Sequence, residues 1–243
     1  MFTVLSNSES RSLRKALWLA ALLMAFAQVG AYEPVLDAAM VKRAVQTGTE
    51  MVSPSSGYHV QDYLLHEYIK DVRLRPNDPE VNAITLSTPF EALRYSAYVA
   101  RYQRKKLSPE KVQKVMAQTA HMLTANVYAH SPFTVEEELE QFLQAYEDES
   151  QGDDAQQQSF MDFYSDATLK IGDQTLTAKR VVDGPYQDQF SPFSGTPEFR
   201  FLGVVRYTFD LGGLDTKGKQ GTLTFADFSK RQYSDVIRFD RYK

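Results

Sequence analysis

The spacing of apolar residues changes character partway along this chain, and the change limits the class of fold open to it. Up to about Gln118 they recur at three and four, the period of a helix with one buried stripe. From Ala167 onward they alternate, as in Val205, Tyr207 and Phe209, the period of a strand with one buried face. Helices followed by hairpin-linked strands predict an α+β fold: a helical N-terminal half packed on a C-terminal antiparallel β-sheet or small β-sandwich.

Residues 32–118 read as mainly helical and residues 119–243 as mainly antiparallel β, with one helix (135–147) and an acidic loop (147–158). A first helix spans 35–51 and stops at Ser53-Pro54-Ser55-Ser56-Gly57. Residues 58–72 carry Tyr63, Leu64, Leu65, Tyr68, Ile69 and Val72 at spacings of three and four, which predicts a second helix. A short strand follows at 81–86. In Thr88-Pro89-Phe90-Glu91, Thr88 is placed to cap a helix, Pro89 sits where a missing N–H costs nothing, and Glu91 is placed to close a capping box. Ser108-Pro109-Glu110 and Thr134-Val135-Glu136-Glu137 repeat the pattern. Between them, 122–129 alternates weakly, as a strand. Gly172-Asp173 separates strands at 168–171 and 174–182, with glycine at the first central position, as a type II′ hairpin needs. Further strands are predicted at 199–211, around Leu223 and Phe225, and at 236–239.

The first 31 residues have a different logic. Arg11, Arg14 and Lys15 precede the apolar run from Ala16 to Ala27, followed by Val29 and Ala31 at the spacing a signal peptidase reads. The run is shorter than the roughly 20 residues that span a bilayer. A secretory signal cut between Ala31 and Tyr32 is predicted, leaving an exported chain, periplasmic or extracellular, with no stable membrane insertion. Cleavage would remove Trp18, the only tryptophan. Of the chain's 27 basic and 31 acidic residues the signal holds three and one, so 24 against 30 remain, a net −6 that does not suit nucleic acid. The chain has no cysteine, so thiolate chemistry, Cys-zinc sites and disulfides are excluded and packing must hold the fold.

No nucleophile elbow, phosphate-binding loop, dinucleotide fingerprint or zincin motif is present. His59, His66, His121 and His130 have no metal-ligand spacing, and Asp148, Glu149, Asp153 and Asp154 do not follow a calcium-loop pattern, so neither metal nor cofactor is predicted. Two surfaces are candidates for binding. Arg94, Tyr98 and Arg101, with Tyr102 and Arg104, form a cationic and aromatic stripe on one helix, able to hold an anionic sugar, peptide or partner surface. Residues 183–197 read as a long loop holding Tyr186, Phe190 and Phe193, and ordered loops beyond about 12 residues are often functional. The reading is an exported, non-enzymatic binding or structural protein of the cell envelope, with an envelope protein or glycan as partner. The alternative is a hydrolase of envelope carbohydrate or peptide using a carboxylate pair such as Glu136, Glu137, Asp162 or Asp166, which needs two carboxylates about 5–10 Å apart in one cleft.

Overall fold

Alternation builds two sheets, and local capping chemistry sets where the helices start. The computed structural model describes residues 31–242 except 54, 56, 71, 72, 76, 150–157, 193 and 194, and Ala31–Lys243 packs as one unit. The signal segment and Phe193 therefore lie outside the described residues, as does most of the acidic stretch. Among the described residues, helices α1 (Ala38–Glu50), α2 (Pro89–Tyr102), α3 (Pro109–Thr119) and α4 (Val135–Glu149) combine with ten strands. The class is mixed α and β, with three of these four helices in the first half. None of them is long and apolar enough to cross a membrane.

The larger sheet has the strand order β1-β3-β4-β8-β7-β2, formed by β1 (Leu64–Glu67), β2 (Arg73–Leu74), β3 (Val81–Ser87), β4 (Met122–His130), β7 (Lys179–Pro192) and β8 (Glu198–Asp210). All its pairings are antiparallel except that of β2 with β7. The smaller sheet is β10-β9-β5-β6, from β5 (Thr168–Ile171), β6 (Gln174–Thr177), β9 (Gln220–Ala226) and β10 (Gln232–Arg238). Three strands from the first half thus enter one sheet with strands from the second.

The register shows why alternate residues are apolar. Leu123, Ala125 and Val127 on β4 lie opposite Phe209, Tyr207 and Val205 on β8, and all six are buried. Leu169, Leu223, Phe225 and Ile237 of the smaller sheet belong to the same core, and the Tyr207 and Phe225 rings meet at 5.4 Å across it. Each such large side chain contributes about 1.5–3 kcal/mol by leaving water.

The helix starts follow their caps. Thr88 and Ser108 accept hydrogen bonds from the N–H groups of Glu91 (3.2 Å) and Lys111 (3.3 Å), with proline next in each case. Thr134 and Glu137 form both halves of a capping box at α4. At the β5–β6 hairpin Gly172 has φ +58 and Asp173 does not share it, as a glycine-first turn requires. Helix α1 crosses α2 where Gly48 faces the backbone of Arg94; a Cβ there would stand 2.0 Å from the Arg94 carbonyl oxygen, so only glycine permits the approach.

Four expectations are corrected. Residues 58–72 do not form a helix: Gln61–Tyr63 is a 3-10 turn and β1 follows, pairing with β3. An irregularity between Leu64 and His66 breaks the period of two, which is why the apolar spacing imitates a helix. Residues 183–197 are not a long loop, because β7 continues to Pro192 and pairs with β8 as far as Phe190 opposite Glu198. The register shift between Asp183 and Tyr186 absorbs Gly184-Pro185 and hides the strand from a pattern reading. The strand expected at 174–182 is two, since the chain leaves one sheet for the other at Ala178. Finally, α4 runs to Glu149, so residues 147–149 are helical and not part of a loop.

Candidate functional site

Four separate segments converge on a cleft of about 500 Å³. On α1, Arg43 and Thr47 are one turn apart and face it together; on α2, Phe90 and Arg94 do the same. The 3-10 turn supplies Asp62 and Tyr63, and the C-terminal turn Phe239–Arg241 supplies Arg241 and then Tyr242. The Tyr63 and Tyr242 rings stand 6.0 Å apart, and the Arg43 guanidinium lies 5.5 Å from the centre of Phe90.

Of the three arginines in the cleft, Arg94 is the buried one. Its Nε donates to Glu91 at 2.6 Å and to the Tyr58 hydroxyl at 3.1 Å, and an Nη donates to the His59 carbonyl at 3.2 Å. Its guanidinium also lies over the rings of Tyr58 (5.2 Å) and Tyr63 (4.8 Å). Burial works against the arginine charge, but the hydrogen bond and charge of Glu91 raise its pKa above the usual value. Burial likewise pushes the Glu91 carboxyl up, and the bonds from Arg94 and Tyr58 pull against that. The Tyr58 hydroxyl, which donates to Glu91 at 2.5 Å, is also pushed upward, first by burial and then by Glu91. Glu91 thus faces inward to this pair, so its carboxylate does not serve the capping role expected of it.

Arg43 and Arg241 are different in kind. Both are exposed, and neither forms an ion pair among the described residues. Asp62 is the exposed acid in the same cleft. The arrangement is a fixed guanidinium at the base, two unneutralised ones at the rim, and aromatic walls. Chemically it suits an anion whose body presents an apolar or sugar-like face.

The residues expected to bind are placed as follows. Arg94 is buried at the base of the cleft; Tyr98 is buried with its ring 4.9 Å from Tyr58; Arg101 is exposed farther along α2. Tyr186 is 56 % exposed on β7 and donates to Asp183, whereas Phe190 is buried with its ring 5.3 Å from His130. The described clefts do not gather these residues into one site. Arg43, Asp62, Arg241 and Tyr242 carried no sequence signal, because the residues that meet them are remote along the chain.

The acids singled out from the sequence are not the buried ones. Glu136 and Asp166 are exposed, Glu137 caps α4, and Asp162 accepts the Ser159 N–H at 2.8 Å. Instead Glu80 and Asp227 line a second cleft, of about 390 Å³, beside His130 and Arg200. Glu80 accepts the N–H groups of Phe228 (3.1 Å) and Ser229 (3.0 Å) and the Ser229 hydroxyl. Asp227 accepts the Arg231 N–H at 2.8 Å and the Tyr233 hydroxyl at 2.7 Å. The Glu80 bonds tie the β9–β10 turn to the start of β3 and the Asp227 bonds close that turn on itself, structural tasks that occupy both carboxylates. Burial still raises Glu80 above the ordinary range. Another buried acid, Glu138, has Oε1 on the Phe160 N–H (3.1 Å) while Oε2 has no partner among the described residues. Among those residues no group of three or more His, Asp or Glu is placed to hold a metal ion.

No protein-family model, curated protein or solved structure matches this chain.

Proposed function

We propose that this chain is an exported, non-enzymatic binding protein of the cell envelope and that its ligand is an anion held in the arginine cleft. The observation that carries the reading is the pair of unneutralised guanidinium groups, Arg43 and Arg241, beside the buried Arg94 and the rings of Tyr63, Phe90 and Tyr242. A chain of net charge −4 would gain nothing in solubility from concentrating cations there. Export is supported by the charged, apolar and small-residue order of the first 31 residues. The two sheets meeting through one core make a small β-sandwich the closest description of the strand-rich part. Each charge-assisted contact to a bound anion is worth about 1.5–3 kcal/mol when shielded from water, and less at the rim. Calorimetric titration of inorganic phosphate and of glucuronate should therefore show an affinity that falls about 10- to 100-fold in Arg43→Ala/Arg241→Ala. Unchanged binding in that variant contradicts the proposal.

A second reading, a hydrolase, is favoured by Glu80 and Asp227 sharing a cleft with His130. It is the weaker one, because both carboxylates already accept hydrogen bonds from the turn they hold. Hydrolysis of envelope glycan or peptide that disappears in Glu80→Gln, with the fold retained, would establish it.

A further inference from the structure

Outside the cleft, α2 and the turn that follows it carry exposed rings and cations. Tyr58 inserts between Tyr95 and Tyr98, at ring distances of 5.0 and 4.9 Å, and Tyr98 lies nearly parallel to Tyr102 at 6.1 Å. Tyr95 and Tyr102 are 51 % and 69 % exposed. Next to them stand Arg101, Arg104, Lys105 and Lys106, all exposed and none in an ion pair among the described residues. Four adjoining cations in an acidic protein form a local field of the opposite sign to the rest of the chain.

The backbone adds an independent observation. The Lys105 N–H reaches the Ala100 carbonyl at 2.8 Å, and Arg104 between them has φ +59, the left-handed position of a helix C-terminal cap. Glycine is the residue that position ordinarily takes, because a side chain there is strained. Arg104 is one of four described non-glycine residues at positive φ, with Asn77, His121 and Lys230.

We propose that this surface binds an anionic polysaccharide, its acidic groups meeting Arg101, Arg104, Lys105 and Lys106 while Tyr95 and Tyr102 stack on sugar faces. Charge complementarity selects an anionic partner, and exposed rings bearing hydroxyls suit sugar rings. A bilayer surface fits less well. An interfacial helix needs an apolar face to insert, and the apolar face of α2, with Phe90, Leu93 and Ala97, is buried in the protein.

The test is affinity electrophoresis of the 32–243 chain through gels containing polygalacturonate, dextran or polyglutamate, with flotation on phosphatidylglycerol vesicles in parallel. Polygalacturonate should retard the protein, dextran should not, and Tyr95→Ala/Tyr102→Ala should weaken retardation about tenfold at a temperature where circular dichroism shows the variant still folded. Arg104→Gly should raise the melting temperature yet weaken retardation about threefold, opposite signs that a purely structural role cannot produce. Arg43→Ala/Arg241→Ala should keep a retardation that still depends on Tyr95 and Tyr102, which separates this surface from the arginine cleft. Equal retardation by polyglutamate, insensitivity to the tyrosine variant, tighter binding to vesicles, or loss of binding in the cleft variant would each overturn the proposal.

Discussion

His130 should make the fold acid-labile, and its surroundings set the size of the effect. The ring lies at the end of β4, 4 % exposed, with Nδ1 2.6 Å from the Asn82 side-chain oxygen and its face toward Phe190. Asn82 supplies an acceptor, so Nδ1 carries the hydrogen in the neutral ring. Burial, reinforced by the Arg200 charge and only partly opposed by Asp78, lowers its pKa from 6.5 to about 4. Between those values the unfolded chain takes up a proton that the fold refuses, so stability is intact above about pH 6.5 and is lost as the pH falls toward 4. At about 1.4 kcal/mol for each tenfold change in proton affinity, the full loss is about 3 kcal/mol. Glu80, Glu91 and Glu138 act in the opposite sense: their folded-state values are raised, so their contribution is present at low pH and lost as the pH rises through them. A whole-protein pH profile mixes the two signs, and a variant separates them. His130→Asn keeps a donor for Asn82 and never charges. Urea unfolding followed by circular dichroism should show the difference between wild type and variant changing by about 3 kcal/mol between neutral pH and pH 4, in the direction that penalises wild type in acid. Parallel pH profiles for the two proteins would refute the reasoning.

Three further outcomes are expected. Gly48→Ala should destabilise by at least about 1–3 kcal/mol in the same unfolding assay, because a Cβ 2.0 Å from the Arg94 carbonyl oxygen forces α1 and α2 apart. Glu91→Gln should cost about 3–5 kcal/mol, since it leaves the buried Arg94 without its counter-charge; a near-neutral result would show that the pair is open to water. The proposed cleavage predicts Tyr32 at the N-terminus by mass spectrometry and, without Trp18, emission from tyrosine alone.

What could be read in advance was the chemistry of adjacent residues. Thr88-Pro89, Ser108-Pro109, the Thr134 to Glu137 box and Gly172-Asp173 act within four residues, so the structure places caps and turn where those motifs stand. Strand β1 and the part of β7 beyond Val182 were obscured because register shifts at Leu64/His66 and Asp183/Tyr186 spoil the alternation that would announce them. The site was harder for a different reason. Arg94 could be singled out as a cation on a helix, but its burial depends on Tyr58 and His59, more than thirty residues away in sequence. Arg43 and Arg241 come together only through the docking of the C-terminal turn near α1 and α2, which no local pattern encodes.

The arginine cleft is tested most directly by the NMR signals of the arginine Nε–H groups in the 32–243 chain during titration with glucuronate and with inorganic phosphate. Capture of an anion predicts saturable movement of the Arg43 and Arg241 signals together, lost for the partner signal when either residue is changed to alanine, while the Arg94 signal, held by Glu91, moves least. Arg43 and Arg241 signals that stay fixed through millimolar concentrations of both anions would contradict the account.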